Sequence, residues 1–172
     1  MTTTGEPAIR IGQGFDVHPF SADTDRPLVL GGVSFAGLPG LAGHSDGDVI
    51  AHAVTDALLG AAGLGDIGQH FPDTDPALAS ADSVGLLRRA VAALREAGWH
   101  PQNVDCTVVL EAPKVAPQRA AIEARLREAV GAPVSVKGKR AEGLGALGRA
   151  EGIACFAVAL IARGVPAGEA ST

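Results

Sequence analysis

Asp16 and His18, with His52 farther along the chain, are the residues whose types and spacing could do chemistry. In an extended strand, residues two apart share a face and lie about 6–7 Å apart along it, so a carboxylate and an imidazole at 16 and 18 can converge on one ion. His52 falls in a segment with helical periodicity and would reach the same point from a second element. One carboxylate and two imidazoles, with a fourth position open, make the ligand set of a catalytic Zn²⁺. A strand end with an exposed Asp and a core-edge His reads the same way. The apolar residues Ile9, Ile11, Phe15 and Val17 share the odd parity, which leaves the even face, with Asp16 and His18, free to look into a site. His44 and Ser45 stand just before the predicted helix, where unpaired N–H groups and the helix dipole favour an anion. Ser45 could equally be an ordinary N-cap. A metal and a phosphate could then share one pocket.

Three further groups fit either a site or a plain surface. Asp48 and Asp56 flank His52 at helical spacing, as outer partners of its imidazole or as a solvated helix face. Asp73-Thr74-Asp75 after Phe71-Pro72 has the spacing of carboxylates that hold Mg²⁺ against a diphosphate, and also that of an acidic turn. Lys137, Lys139 and Arg140 form a basic cluster beside Gly138, placed for phosphates or forming a charged strand end.

The elements that must position these residues read as strands alternating with helices. Strands are predicted at 9–18, 27–35 (a bent strand or hairpin, interrupted at Gly31-Gly32), 103–110, 133–137 and 152–162. The last is a short apolar run open to either assignment, read as a strand because glycines flank it. Helices are predicted at 46–62, from Asp82 or Ser83 to Gly98, and from Pro117 to Gly131. The apolar stripes are Ile50, Ala53, Val54, Ala57, Leu58 and Ala61 on the first, Val84, Leu87, Val91 and Leu94 on the second, and Ile122, Leu126 and Val130 on the third. The 60–75 and 138–152 segments read as long loops, the first polar and lid-like. The pattern predicts a single mixed α/β (α+β) domain, a sheet with helices packed on one face, spanning 1–172 with an ordered core at about 8–163 and polar tails at both ends.

Composition narrows the function. With 47% hydrophobic residues, 23 glycines, five phenylalanines and one tryptophan, the interior is built from small side chains. A net charge of −5 argues against neutralising a nucleic-acid backbone. Cys106 and Cys155 belong to no paired motif and read as buried thiols of a reducing compartment. The N-terminal segment lacks a signal-peptide pattern, and the longest apolar run is about half a membrane span, so a cytoplasmic protein without a membrane partner is expected.

Gly14-Phe15-Asp16-Val17-His18, then Ala42-Gly43-His44-Ser45-Asp46-Gly47-Asp48 with His52, Gly65-Asp66-Ile67-Gly68, Phe71-Pro72-Asp73-Thr74-Asp75, Ala112-Pro113-Lys114 and Gly148-Arg149 resemble, in order, the 2-C-methyl-D-erythritol 2,4-cyclodiphosphate synthases. The resemblance implies conversion of 4-diphosphocytidyl-2-C-methyl-D-erythritol 2-phosphate to the 2,4-cyclodiphosphate with release of CMP, a phosphorus–oxygen lyase step of non-mevalonate isoprenoid synthesis. It implies zinc on Asp16, His18 and His52, with Val17 beside the substrate, and the reacting phosphate on His44 and Ser45. Asp66, Ile67, Gly68, Phe71, Pro72, Asp73, Thr74 and Asp75 would close over the methylerythritol part. Leu110, Glu111, Ala112, Pro113, Lys114, Val115 and Ala116 would border the cytidine, and Lys139, Arg140, Ala141, Ala146 and Arg149 would complete the substrate side. Glu142 would hold Mg²⁺ or Mn²⁺. The family is a homotrimer with active sites between subunits and a central apolar cavity near Arg149 that could take an isoprenoid diphosphate. This chain departs from the family's threonine run at Lys139-Arg140-Ala141 and at Ala146-Leu147, so Arg140 takes the place of the transition-state threonine and joins His44 as a catalytic residue. Phe156 stands where an acidic residue is common. Two other functions fit the same residues: a zinc phosphohydrolase, and a non-catalytic trimer that binds an isoprenoid diphosphate.

Overall fold

The structure, a computed structural model, describes residues 8–164; the tails expected at 1–7 and 165–172 lie outside the described residues. In chain order the elements are β1 (Ile9–Pro19), β2 (Pro27–Leu30), β3 (Val33–Pro39), α1 (Val49–Ala62), α2 (Ile67–His70), α3 (Ser83–Glu96), β4 (Trp99–Val109), α4 (Arg119–Val130), β5 (Val134–Lys139), α5 (Gly145–Gly148) and β6 (Gly152–Arg163). Short 3₁₀ turns stand at Pro76–Leu78 and Ala116–Gln118. One sheet has the order β1-β6-β4-β5, while β2 and β3 form a separate hairpin. β6 runs antiparallel to both its neighbours, and β4 and β5 are parallel, joined by a crossover through α4. The last apolar run is therefore a strand, and it occupies the middle of the sheet.

The three predicted apolar stripes are buried. Ile50, Val54 and Leu58 of α1, Leu87, Val91 and Leu94 of α3, and Ile122, Leu126 and Val130 of α4 all lie in one core with Ile153, Cys155 and Ile161 of β6. Cys106 and Cys155 are both free and buried. Contact between the two thiols and burial together push the Cys155 thiol far up, so it stays protonated.

Three boundaries differ from the expectation. α1 begins at Val49 rather than 46, because Gly47 sits at φ 74° and Asp48, not Ser45, caps the helix, its carboxylate accepting from the N–H groups of Ile50 and Ala51. β4 begins four residues early, at Trp99. The two predicted long loops contain α2 and α5, elements too short to show periodicity.

β1 carries its apolar residues on the face away from α1. Its odd residues carry the apolar side chains, yet Ile9, Ile11, Phe15 and Val17 are 59%, 71%, 46% and 49% exposed, and the even residues face α1. The reason lies at Gly12 and Gly14. A Cβ on Gly12 would lie 2.0 Å from the Ala57 carbonyl oxygen, and one on Gly14 would lie 2.0 Å from that of Ala53. The α1 backbone rests directly on the strand there, which any side chain would prevent. Hydrophobic parity is overridden by the need for a close backbone approach.

Asp48 fastens the other end of α1. Besides capping the helix, its Oδ1 and Oδ2 accept from the N–H groups of Gly31 and Gly32, at 2.8 and 2.6 Å. Those glycines form the two-residue turn of the β2–β3 hairpin at φ 57° and 72°, the positive pair that a tight hairpin of this twist requires. Burial pushes the Asp48 carboxyl up to about 6, against the opposing pull of its N–H donors. The predicted partnership with the His52 imidazole is thus replaced by four backbone amides. Asp56 likewise serves the backbone rather than His52 or solvent: its Oδ1 accepts from the Ile67 N–H at 2.8 Å and sets the start of α2.

Gly14→Ala should push α1 off β1. We expect a loss of roughly 1–3 kcal/mol or more from the overpacking, read as a lower thermal midpoint, with zinc affinity falling as His52 moves away from Asp16 and His18. A variant with unchanged stability and zinc binding would contradict the close approach.

Candidate functional site

The even face of β1 and the first turns of α1 bring Asp16, His18 and His52 together. Asp16 Oδ2 lies 3.0 Å from His18 Nε2 and 3.0 Å from His52 Nδ1, and those two nitrogens are 3.2 Å apart. Among the described residues this is the one group of three or more His, Cys, Asp or Glu side chains that could hold a metal. Four tetrahedral ligands at 2.0–2.1 Å from zinc would stand roughly 3.3 Å from one another, close to the observed triangle.

The hydrogen-bond inventory tests the fit independently. His18 Nδ1 lies 2.6 Å from the Ala42 carbonyl oxygen, which can only accept, so in the neutral ring Nδ1 carries the hydrogen and Nε2 presents a lone pair. On His52, Nε2 lies 2.8 Å from Ser83 Oγ, while the Ser83 hydroxyl donates to the Asp46 carboxylate. Ser83 Oγ is therefore an acceptor toward His52, Nε2 carries the hydrogen, and Nδ1 presents a lone pair. Two imidazole lone pairs and a carboxylate oxygen converge with no hydrogen between them, an arrangement that needs a cation at its centre. The residues fit a metal.

Without one, a proton takes its place. Burial alone would raise the Asp16 carboxyl, but the adjacent His18 and His52 imidazoles outweigh it and hold Asp16 well below the usual carboxylate range. The same hydrogen bond to Asp16 raises His18 above its ordinary 6.5.

Beside the triad runs the 43–47 turn. Ser45 Oγ, buried, lies 3.0 Å from His52 Nε2 and 3.1 Å from Ser83 Oγ, and accepts from the Gly47 N–H at 3.3 Å. Arg26 donates to the Ser45 carbonyl, and backbone bonds from Ser80 to His44 (2.8 Å) and from Asp46 to Ala81 (3.0 Å) hold the turn against the segment before α3. His44 is exposed and donates from Nε2 to the Asp75 carbonyl at 3.0 Å. Ser45 thus borders the triad through His52, and the 72–75 segment joins the same turn through the His44–Asp75 hydrogen bond. Asp75 itself caps the following 3₁₀ turn, accepting from the Ala77 N–H, and its own N–H reaches the Pro72 carbonyl. The acidic segment is a turn. Asp66 caps α2, and hydrogen bonds from the Gln69 backbone and side chain hold its carboxyl below the usual range. The Phe71 ring carries the Arg89 guanidinium 4.8 Å from its centroid, which ties the same loop to α3.

A second feature stands at the ends of β4 and β5. A cleft of about 180 Å³ is lined by Leu110, Glu111, Pro113 to Ala116, Arg119 and Gly138 to Arg140. That is less than the roughly 300–1,000 Å³ of a pocket that encloses a whole ligand, so it suits one moiety. None of the triad, His44 or Ser45 lines it. Arg140 donates from Nε and Nη2 to Glu111 Oε2 at 3.0 and 2.8 Å, and the Gly143 N–H reaches Glu111 Oε1 at 3.2 Å. These bonds hold the Glu111 carboxyl low. Lys137 turns instead to Asp105, so the basic cluster is divided. Glu142 is exposed with φ 53° and joins no group of metal-binding side chains among the described residues; Ala146 lies on α5, and Arg149 pairs with Glu151 at 2.6 Å. Ser83 and Asp46 went unread in the sequence. Ser83 looked like an ordinary helix start, and only the fold carries it to His52.

Three convergent ligand atoms beside a polar turn define a candidate metal centre on a mixed α/β domain. The YgbB family model matches residues 9–162. A 2-C-methyl-D-erythritol 2,4-cyclodiphosphate synthase of Bordetella petrii is 59% identical over 157 residues, 90% of this chain and 96% of that one. Among solved structures, the bifunctional IspDF of Campylobacter jejuni is 41% identical with a TM-score of 0.86, over 91% of this chain and 42% of that one. The IspF of Plasmodium falciparum in a CDP complex is 34% identical with a TM-score of 0.80, over 94% of this chain and all of that one. The chain belongs to the YgbB family, that of the 2-C-methyl-D-erythritol 2,4-cyclodiphosphate synthases.

Zinc and the His18 proton should compete. In the metal-free protein the raised His18 pKa means that the Asp16–His18 pair stabilises fully below pH 6.5 and that this contribution is lost as pH rises through the raised value. Zinc affinity should accordingly fall as pH drops through the same window, above 6.5, followed by titration against a chromophoric chelator. In His52→Ala the affinity should fall by more than the roughly 10–100-fold that loss of an outer partner costs, with the circular dichroism spectrum retained. Unfolding of the variant with its zinc still bound would mark His52 as a core residue.

Proposed function

We propose that this chain converts 4-diphosphocytidyl-2-C-methyl-D-erythritol 2-phosphate to 2-C-methyl-D-erythritol 2,4-cyclodiphosphate and CMP. The observation that carries the reading is the convergence of Asp16, His18 and His52 beside His44 and Ser45, in a member of this family. An oxygen of the 2-phosphate attacks the β-phosphorus, a new P–O bond forms, and the bond from that phosphorus to the bridging oxygen breaks, the electron pair leaving with CMP. The protein positions and neutralises.

Asp16, His18 and His52 would hold zinc, and Glu142 Mg²⁺ or Mn²⁺ with substrate oxygens completing its shell, the two ions supplying positive charge to the phosphates. The exposed imidazole of His44 and the hydroxyl of Ser45 would donate to the reacting phosphate, with Val17 at its edge. The loops from Asp66 to Gly68 and from Phe71 to Asp75 would exclude water from the methylerythritol part. The cytosine and ribose would enter the cleft at Leu110 to Ala116, where Lys114 and Lys139 add charge. Arg140, held in place by Glu111, would present its remaining guanidinium nitrogen to the diphosphate in the role the family gives to threonine. A cytoplasmic location follows from this metabolic role.

We further propose a homotrimer assembled through the outer face of β1 and β6. Ile9, Ile11, Phe15, Val17, Phe156 and Val158 are each 46–71% exposed on one side of the sheet, and no element among the described residues covers them. Phe15 and Phe156 face each other across the strand pair, their ring centroids 4.8 Å apart. An apolar face of this kind is a common mark of assembly. A neighbouring copy would bring its 110–116 cleft to the triad, and the lining near Phe156 and Arg149 could take an isoprenoid diphosphate.

Purified protein with substrate, Zn²⁺ and Mg²⁺ should give CMP and the cyclic diphosphate by ³¹P NMR; CMP with linear phosphates alone would indicate a hydrolase instead. Phe15→Asp should shift the mass measured by light scattering from trimer to monomer and remove turnover. A wild-type monomer that turns over would dismiss the shared site.

A further inference from the structure

His52, one of the three ligands of the triad, is held by Ser83, which is held in turn by Asp46. We infer that Ser83 and Asp46 form a relay that fixes the tautomer and orientation of His52, and that these two positioning residues make the triad competent for metal. The inference rests on the metal reading proposed above.

The case is one of hydrogen direction. Ser83 is fully buried at the first position of α3, and its hydroxyl has one hydrogen to give. It meets three groups: the Asp46 carboxylate, His52 Nε2 at 2.8 Å and Ser45 Oγ at 3.1 Å. Asp46 accepts through Oδ1 from the Ser83 hydroxyl and, at 3.1 Å, from the Asp48 N–H. Its Oδ2 accepts from the Ser83 N–H at 3.2 Å. An ionised carboxylate offers no hydrogen, so the Ser83 hydrogen points to Asp46 and its lone pairs point to His52 and Ser45. His52 must then carry its hydrogen on Nε2 and leave Nδ1 free. A ring with the hydrogen on Nδ1 would place a donor against the site that the metal has to occupy.

Each link is set by a different element. Asp46 comes from the 43–47 turn, Ser83 from the start of α3, and His52 from the second turn of α1. Their convergence explains why the 80–83 segment is bonded to that turn. It also gives Ser45 a defined state: with its hydrogen on Ser83 Oγ, the Ser45 hydroxyl is parked, and it must rotate to donate to a bound phosphate. An outer partner of a metal-bound imidazole is worth 10–100-fold in metal affinity, and that is the effect expected of the relay.

The test uses the full chain and zinc alone. Wild type, Ser83→Ala and Asp46→Asn are stripped of metal, checked by circular dichroism and thermal melting, and titrated with zinc against a chromophoric chelator. Ser83→Ala removes the acceptor 2.8 Å from Nε2 and frees the Ser45 hydroxyl, 3.0 Å from the same nitrogen, to donate to it, and Asp46→Asn keeps the side chain's shape but adds a donor where only donors already point. Both should bind zinc about 10–100-fold more weakly. ¹⁵N NMR of the metal-free proteins supplies a readout that a merely structural role would not move: the His52 signals should report hydrogen on Nε2 in the wild type and a shift toward the Nδ1–H form in both variants. Variants that melt like the wild type, keep the Nε2–H form and bind zinc within twofold would overturn the relay. If Ser83→Ala fails to fold, Asp46→Asn and the wild-type tautomer decide: an Nδ1–H ring in the wild type overturns the relay outright. A wild type that binds no zinc would overturn the metal reading itself, a result distinct from variants that bind as well as the wild type.

Discussion

The approach of the α1 backbone to β1 at Gly12 and Gly14 is the constraint on which the remainder depends. The Ala53 and Ala57 carbonyls occupy the space that side chains on the strand would take. Because the helix is that close, the imidazole of His52 reaches the same point as the even-numbered side chains just beyond the glycines, Asp16 and His18. An ordinary strand–helix packing distance of about 10 Å, as for layers separated by side chains, would leave the three ligand atoms too far apart to share an ion. The small side chains that dominate the composition thus have a local geometric purpose: they let polar groups from two elements meet.

Asp48 solves a second problem, that of fixing the first turn of α1 in angle as well as distance. A buried carboxylate is costly, and here four backbone N–H groups compensate it, two from the helix start and two from the hairpin turn. Since His52 is four residues beyond, any rocking of the helix start would move its ring. The hairpin, which contributes nothing to the main sheet, serves as the anchor for that carboxylate.

How far the sequence could be read follows from the same physics. Periodicity located the buried stripes of α1, α3 and α4, since each is a sum over several turns. The spacing of Asp16 and His18 located two of the three ligands, since strand geometry is local. What failed was whatever depends on two elements meeting. The parity of β1 left its even face free for a site without saying which side the helix takes, and the two glycines of that face decide it. Asp48 and Asp56 looked like partners of His52 because helical spacing places them on its face, whereas loops arriving from elsewhere claimed both carboxylates. Ser83 was invisible for the same reason: nothing near it in sequence signals a histidine. The family resemblance carried the cleft and the catalytic assignments, which no spacing in this chain would reveal.

β1 also shows why the register of this sheet must be held tightly. Alternate residues face opposite ways, so a slip of one residue would exchange the two faces of the strand. The even face holds the metal ligands and the close helix contact, and the odd face holds the apolar patch proposed for assembly. Both would be lost at once: side chains would meet the Ala53 and Ala57 carbonyls, and a carboxylate would enter the apolar patch. The pairing of β1 with β6 runs without a bulge from Ile9 to Pro19, while the β4–β6 pairing shifts register near Pro101, at the end of the sheet away from His18. Val17, Ala154, Val109 and Lys139 are successive partners across the four strands, so the triad and the basic cleft are set at the same end of one continuous ladder. Irregularity is tolerated where only packing is at stake, and it is absent from the strand on which both the metal site and the proposed subunit contact are written.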